Sequence, residues 1–140
     1  MDATIALRLP RDAASVPLIR QLLDATLAAL GVVPAVRDDV ELLLSEACSN
    51  VIKHADPSDE YTVSAGVHDG LCVIKVVDTG GGFDPHKVAA PTSSMEYGRG
   101  LQIMRALADD VRFTNRREAG VMVCLEKRLE FVAGAPFVAN

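Results

Sequence analysis

The segment EACSNVIKHA, residues 46–55, places three polar side chains four residues apart in a stretch with helical apolar spacing. At about 100° per residue, Glu46, Asn50 and His54 share one side of that helix. The arc beside them is apolar and contains Val36, Val40, Leu43, Leu44, Ala47 and Val51. Polar groups that border a core require partners, because burying them unpaired is costly. Taken alone, the segment fits a wet helix edge best. A nucleotide pocket stays open, and a metal site at Glu46 and His54 is disfavoured because no third ligand is evident.

Outward from this helix, alternation and turn residues predict a fold of one domain. The predicted elements are a strand at 4–9, helices from Asp12 to about Leu30 and from Pro34 to about Ala55, a hairpin of strands 61–67 and 71–77, a loop at 78–100, a helix beginning at Leu101, and a hairpin of strands 111–116 and 120–127. This order predicts an α+β fold, a two-layer α/β sandwich whose single mixed sheet is covered on one face by helices. Residues 1–130 are expected to form the domain and residues 131–140 a C-terminal tail or docking segment.

Composition narrows the class of protein. The chain has 140 residues and a net charge of −5, which disfavours direct, non-specific binding to nucleic acid. The three cysteines are widely spaced among apolar neighbours, so buried free thiols are expected rather than disulfides or a zinc site. There is no signal-peptide pattern and no apolar run of about 18–20 residues. A cytoplasmic protein without a membrane segment is expected.

Two further segments could contact a ligand. In VVDTGGGFDP, residues 76–85, an apolar strand ends at Asp78 and three glycines follow, which describes a flexible turn or a backbone that approaches a ligand closely. In GRGLQIMRAL, residues 98–107, two glycines precede a helix. Such a helix start is either an ordinary junction or an anion site to which Arg99 adds charge.

The three segments together resemble the N, G1 and G2 boxes of the GHKL ATP-binding superfamily. The matching pattern is Glu-x-x-x-Asn on a helix, Asp-x-Gly-x-Gly after a strand, and Gly-x-Gly at a helix. Within that superfamily, SEACSNVIKHA and GRGLQIM resemble the boxes of bacterial anti-sigma factor serine/threonine kinases. The resemblance covers residues 4–128, and residues 84–97 resemble the ATP lid.

The resemblance implies a role for each matching residue. Asn50 is expected to hold Mg²⁺ through its side-chain oxygen, and Glu46 to act as the general base toward the attacking hydroxyl. His54 is expected either to pack at the pocket floor or to bond there. The remaining nucleotide-binding residues are Asp78 at the adenine amine, Gly80 and Gly82 around the nucleotide, and Gly98, Arg99, Gly100 and Leu101 at the phosphates. The implied ligands are ATP and Mg²⁺.

The resemblance also implies partners. Proteins of this kind bind a sigma factor and phosphorylate a serine or threonine of an anti-sigma factor antagonist, and they form homodimers through a region that corresponds to residues 4–30. Two positions depart from the family pattern: Val121 follows Gly120 where relatives carry threonine, and Glu96 stands where a lid arginine is common. Three alternatives are a regulatory module that holds nucleotide, or none, and acts without phosphotransfer, the ATP-binding half of a sensor histidine kinase, and a plain α/β domain.

Overall fold

A computed structural model describes residues 2–54, 60–78, 94–116 and 120–136, with the side chains of 53–54, 94–99, 114–116 and 120–121 left out. It contains five strands and three helices over these residues. They are β1 (Asp2–Pro10), α1 (Ser15–Ala29), α2 (Pro34–His54), β2 (Glu60–His68), β3 (Leu71–Asp78), α3 (Ser94–Leu107), β4 (Asp110–Arg116) and β5 (Gly120–Arg128).

The strands form one sheet in the order β1-β2-β3-β5-β4. The predicted α+β fold class is confirmed, but the expected mixed sheet is wrong for the described strands, because every pairing among them is antiparallel. The reason lies in β5. The connection from β3 through α3 leaves β4 running in the same direction as β3, and β5 then inserts between these two strands and pairs with both.

The helices cover one face of this sheet, with α2 between α1 and α3. Alternate residues of β2, namely Tyr61, Val63, Ala65 and Val67, are buried against them. The apolar arc predicted for α2 is confirmed, since its six members are at most 8% exposed. This helix therefore lies with its apolar arc in the core. Glu46 and Asn50, at the border of that arc, lie beside α3.

The predicted hairpin between β2 and β3 is also confirmed. His68 pairs with Leu71, and the two turn residues, Asp69 and Gly70, have φ of 51° and 76°. Two successive residues with positive φ define the tight turn whose twist matches that of the flanking strands.

Two predicted helix starts are wrong. Helix α1 begins at Ser15, so Asp12, predicted as its cap, lies three residues ahead of the helix, where its carboxylate accepts a hydrogen bond from the Ala14 N–H (2.9 Å) in a separate turn. Helix α3 begins at Ser94 rather than at Leu101. Its two glycines favour a loop by local propensity, but a glycine inside a helix costs only about 1 kcal/mol. None of the described helices is long and apolar enough to cross a membrane.

The chain after β5 packs back onto the junction between α1 and α2. Phe131 forms a bridge with Val32, and the Val132 N–H donates to the Gly31 carbonyl (2.8 Å). Gly31 has φ of 88°, and a Cβ placed on it would lie 2.5 Å from the Cβ of Ala135. Residues 131–136 therefore contact the junction between α1 and α2, and the boundary of the domain at residue 130 stays a prediction.

Candidate functional site

Helices α2 and α3 bring together residues of two predicted ligand-binding segments. An ideal Cβ built on Gly100 would lie 3.0 Å from Oε2 of Glu46 and 3.8 Å from Oδ1 of Asn50. A separation of 3.0 Å is tighter than ordinary contact, so a side chain at position 100 would require the Glu46 carboxylate to shift by a few tenths of an ångström. The predicted base, the predicted magnesium ligand and one predicted phosphate-site glycine are therefore neighbours.

Asn50 is the buried polar residue of this group. Its side chain is 8% exposed, and its Nδ2 has no hydrogen-bond partner within the described parts of the chain. Since buried amides are normally hydrogen-bonded, an orphaned donor needs an explanation. A polar ligand at this point would supply the missing acceptor, and this explanation suits a binding site better than a packing role does.

Glu46 and Asn50 also suit magnesium chemically. A carboxylate and an amide oxygen are hard donors, and Mg²⁺ is commonly held by one or two protein oxygens together with phosphates and water. Oε2 of Glu46 and Oδ1 of Asn50 both lie within 4 Å of the position that a Cβ on Gly100 would occupy, so two oxygens lie near one point. The residues present therefore fit a magnesium–nucleotide ligand, with Asn50 as the residue that would hold the ion.

Asp78 ends β3 and is fully buried. It lies opposite Tyr61 in the β2–β3 ladder, and both side chains face the helices. The hydroxyl of Tyr61 bonds to Oγ of Ser15 at 2.5 Å, and Ser15 in turn donates to the carbonyl of Asp12 (2.7 Å). Asp78 thus lies beside the buried ring of Tyr61, whose hydroxyl is hydrogen-bonded. A ligand that reaches Asp78 would meet little water there.

The groups behind Asp78 are neutral at ordinary pH. Burial raises the pKa of Cys48 on α2 to about 12, although its hydrogen bond with Tyr61 opposes that rise. Burial likewise raises the pKa of Tyr61 to about 12, with its hydrogen bond to Ser15 acting in the opposite direction. The cluster therefore brings no charge of its own to the neighbourhood of Asp78.

The cysteine expectation can be judged over the described residues. Cys48, Cys72 and Cys124 are all free; the first two are buried, whereas Cys124 is half-buried on the sheet face opposite the helices. Burial raises the pKa of Cys72 to about 12. Two of the three are therefore buried free thiols as predicted.

Arg11 is a residue that the sequence analysis missed. It follows β1, and its guanidinium donates to the carbonyls of Val51 (3.3 Å) and Ile52 (2.5 Å) in the last turn of α2. A cation at a helix C-terminus is favourable, because the final carbonyls carry partial negative charge. Arg11 thereby fixes the end of the helix immediately after Asn50. No local pattern around Arg11 marks this contact, which only the fold creates.

The other predicted site residues are placed less completely. His54 is the last residue of α2, and its side chain is not described. Gly80 and Gly82, and most of the predicted lid, lie outside the described residues. The side chains of Glu96 and Val121, the two departures from the family pattern, are also outside them.

The glycine segment of α3 differs from its prediction in one respect. Gly98, Arg99, Gly100 and Leu101 lie within α3 rather than ahead of it. Because only the first four N–H groups of a helix lack helical partners, the expected free N–H groups at a helix start do not belong to these residues in this structure. Their role in nucleotide binding stays a prediction.

The fold and the paired helices define a class of protein. The family described as histidine kinase-like ATPase domain matches residues 9–127, and the chain belongs to that family. Its resemblance to anti-sigma factor kinases of the GHKL superfamily is confirmed by curated relatives. The serine-protein kinase RsbW of Bacillus cereus (strain ATCC 10987 / NRS 248) is 27% identical over 138 residues, which cover 90% of this chain and 85% of that protein. RsbW of Bacillus thuringiensis (strain Al Hakam) is 26% identical over the same shares.

A solved structure supports the fold. The chain is similar to the crystal structure of the RsbU and RsbW domains of Rv1364c from Mycobacterium tuberculosis, with a TM-score of 0.72 and 22% identity. The match covers 98% of this chain but 35% of that longer chain. The similarity therefore concerns one portion of the longer protein.

Proposed function

We propose that this protein is an anti-sigma factor that binds Mg-ATP and phosphorylates a serine or threonine of an anti-sigma factor antagonist. The observation that carries the proposal is the convergence of Glu46, Asn50 and Gly100 across α2 and α3. It joins a carboxylate, a buried amide and a glycine contact in a family of ATPase domains. The similarity to serine-protein kinases favours a hydroxyl as the acceptor.

Asn50 and Glu46 have different proposed roles. Asn50 holds the ion and fixes the phosphates relative to α2, while Glu46, one helical turn earlier, orients the acceptor hydroxyl and accepts its proton. Magnesium, when bound with the nucleotide, neutralises charge on the phosphate oxygens.

The remaining residues bind the nucleotide. Asp78 accepts a hydrogen bond from the adenine amine, and Gly80 and Gly82 allow the backbone to close around the base. The segment Gly98–Leu101 contacts the phosphates, with Arg99 adding positive charge, and His54 lies at the pocket floor.

The proposed partners are a sigma factor, which the protein sequesters in the cytoplasm, and the antagonist that it phosphorylates. Residues 4–30 form the proposed homodimer surface. Over this region β1 is an edge strand, and Leu18 and Leu22 of α1 are 51% and 43% exposed. Exposed leucines one turn apart, next to an open strand edge, are features that a protein interface covers.

A second candidate is a regulatory module that acts on a partner by binding alone. The observation that favours it is the proximity of α3 to Glu46, since Gly100 occupies part of the space beside the carboxylate that an acceptor hydroxyl would need. Under this alternative, nucleotide binding would change the partner surface and no phosphate would be transferred.

Incubation with γ-labelled ATP, magnesium and candidate antagonist proteins separates the two. We expect label on a serine or threonine of one antagonist and none when Glu46 is replaced by glutamine. Nucleotide binding without any labelled acceptor would favour the binding module. If Mg-ATP neither binds nor raises the melting temperature, both candidates are wrong.

A further inference from the structure

Helix α3 is tied to α2 at two points. At the site, Gly100 packs against Glu46 and Asn50. At the other end, Nζ of Lys127 on β5 donates to the carbonyl of Leu107, the last residue of α3, at 2.6 Å, and lies 3.3 Å from Oδ2 of Asp39 on α2. Between the first contact and the second, the residue number rises from 100 to 107 along α3 and falls from 46 to 39 along α2. The two helices therefore run antiparallel.

The spacing of these two ties is equal on both helices. Asp39 precedes Glu46 by seven residues, and Leu107 follows Gly100 by seven. Two points seven residues apart lie on nearly the same face of a helix, separated by about 10.5 Å along its axis. Matched ties at this spacing fix how far α3 can slide along α2, which neither tie would do by itself.

The tie through Lys127 is stronger than an ordinary surface ion pair. The Lys127 side chain is 17% exposed and that of Asp39 38%, so solvent screens the pair only in part. The ammonium group also meets the negative end of α3, where a cation is favourable. In addition, the Arg128 N–H donates to Oδ2 of Asp109 (2.6 Å), and the Asp109 N–H donates to the Glu126 carbonyl (2.8 Å). The end of α3 is therefore anchored on β5.

We propose that Lys127 and Asp39 are positioning residues for the nucleotide site: they set the axial register of α3 against α2 and thereby the approach of Gly100 to Glu46 and Asn50. This inference rests on the proposed function, because it assigns to that site a control point about two helical turns away. Loosening the pair lets α3 shift, and small displacements of aligned groups reduce binding and catalysis steeply.

The chain offers a matched control. Nη1 of Arg37 on α2 lies 3.2 Å from Oδ1 of Asp24 on α1, and the side chains are 22% and 31% exposed. This pair also joins α2 to a neighbouring helix, but on the side away from α3. Asp24→Asn should therefore lower stability to a similar extent as Asp39→Asn without altering the site.

The first test compares nucleotide affinity with stability. Lys127→Met and Asp39→Asn should each raise the Kd for Mg-ATP by about tenfold, Lys127→Arg should keep most of the affinity, and Asp24→Asn should leave Kd unchanged at an equal loss of melting temperature. An unchanged Kd in both the Lys127 and Asp39 variants, or an equal rise in the Asp24 variant, would overturn the proposal. If Lys127→Met does not fold, the Kd of the Asp39→Asn variant alone decides the test.

The second test needs no nucleotide. Mutations more than about 7–10 Å apart normally add in their effects on stability. If the register mechanism holds, the change in urea midpoint caused by Gly100→Ala should be more favourable in a Lys127→Met background than in the wild type, since a freed α3 can move away from Glu46. Additive midpoints would overturn the proposal even if Mg-ATP binds. Conversely, a wild type that fails to bind Mg-ATP, together with non-additive midpoints, would reject the proposed function and retain the register mechanism.

Discussion

Tyr61 and Asp78 face each other across the β2–β3 ladder, and neither side chain has any exposed surface. Because Ser15 has one hydroxyl hydrogen and donates it to Asp12, the Tyr61 hydroxyl is the donor in the bond between Tyr61 and Ser15. The strand end that carries Asp78 is thus connected by hydrogen bonds to the turn before α1.

Tyr61→Phe should lower the free energy of unfolding by about 1 kcal/mol, because it removes the bond to Ser15 and a weaker thiol bond with Cys48, while the Ser15 hydroxyl keeps its acceptor. Ser15→Ala should cost more, since it leaves the buried Tyr61 hydroxyl with the Cys48 thiol as its remaining partner. Urea unfolding measures both. A larger loss in the phenylalanine variant would contradict this direction of donation.

Asn50 and Glu46 should separate binding from phosphotransfer. Asn50→Ala should abolish the rise in melting temperature that Mg-ATP produces, because ligand stabilisation scales with occupancy. Glu46→Gln should keep that rise but reduce transfer to the antagonist about 100-fold or more. The control is Ser45→Ala, which removes only a hydroxyl bonded to the Glu41 carbonyl. Full transfer by the Glu46 variant would show that another group, or none, acts as base.

Gly31 should resist substitution more than Gly134. Both have positive φ, 88° and 76°, so alanine at either position costs about 1–2 kcal/mol in backbone strain. At Gly31 the new Cβ also overlaps Ala135, which adds about 1–3 kcal/mol, whereas the described residues leave open space around Gly134. Thermal unfolding of both variants tests this difference. Adding Ala135→Gly should recover the overlap part of the Gly31→Ala loss, and equal losses at the two glycines would contradict the docked position of residues 131–136.

His68 should make stability depend on pH near neutrality. Its Nδ1 is 2.5 Å from a carboxylate oxygen of Asp2, and its Nε2 is 3.1 Å from one of Asp69. The bond with Asp2 raises the pKa of His68 above its ordinary 6.5. A raised pKa means that the folded state binds the proton more tightly, so this stabilisation is complete below pH 6.5 and is lost as the pH rises through the folded pKa.

The measurement is the free energy of unfolding between about pH 6 and 8, with an NMR titration of the imidazole. The decline with rising pH should be absent in His68→Gln and weaker at high salt, since all three groups are exposed. A variant with the same pH profile as the wild type would assign the dependence to other groups.

The sequence predicted best where one local pattern settles the structure. The arc of α2 from Val36 to Val51 is buried as its periodicity requires, and the positive φ of Asp69 and Gly70 follows from turn chemistry. Local patterns were misleading at α3, because Gly98 and Gly100 suggested a loop. A helix can include glycines when packing against a neighbour compensates for their low propensity, as the contact of Gly100 with α2 does.

Contacts between distant segments could not be predicted from periodicity. Glu46 and Gly100 lie in separate segments of the sequence, and no pattern within either segment predicts that the two residues are neighbours. Arg11 at the end of α2 and Lys127 at the end of α3 looked like ordinary charged residues beside strand ends. Their roles depend on which strand lies under which helix, and the resemblance to a known family supplied the site residues without these supports.

The position of β5 has a consequence for how the molecule is assembled. Residues 120–128 are the last strand along the described chain, yet they occupy the space between β3 and β4. During synthesis, β4 therefore emerges with no strand beside it, while β1, β2 and β3 can already pair. The sheet closes only when β5 enters between β3 and β4, so any fragment that stops before residue 120 lacks the strand that joins β4 to the rest of the sheet.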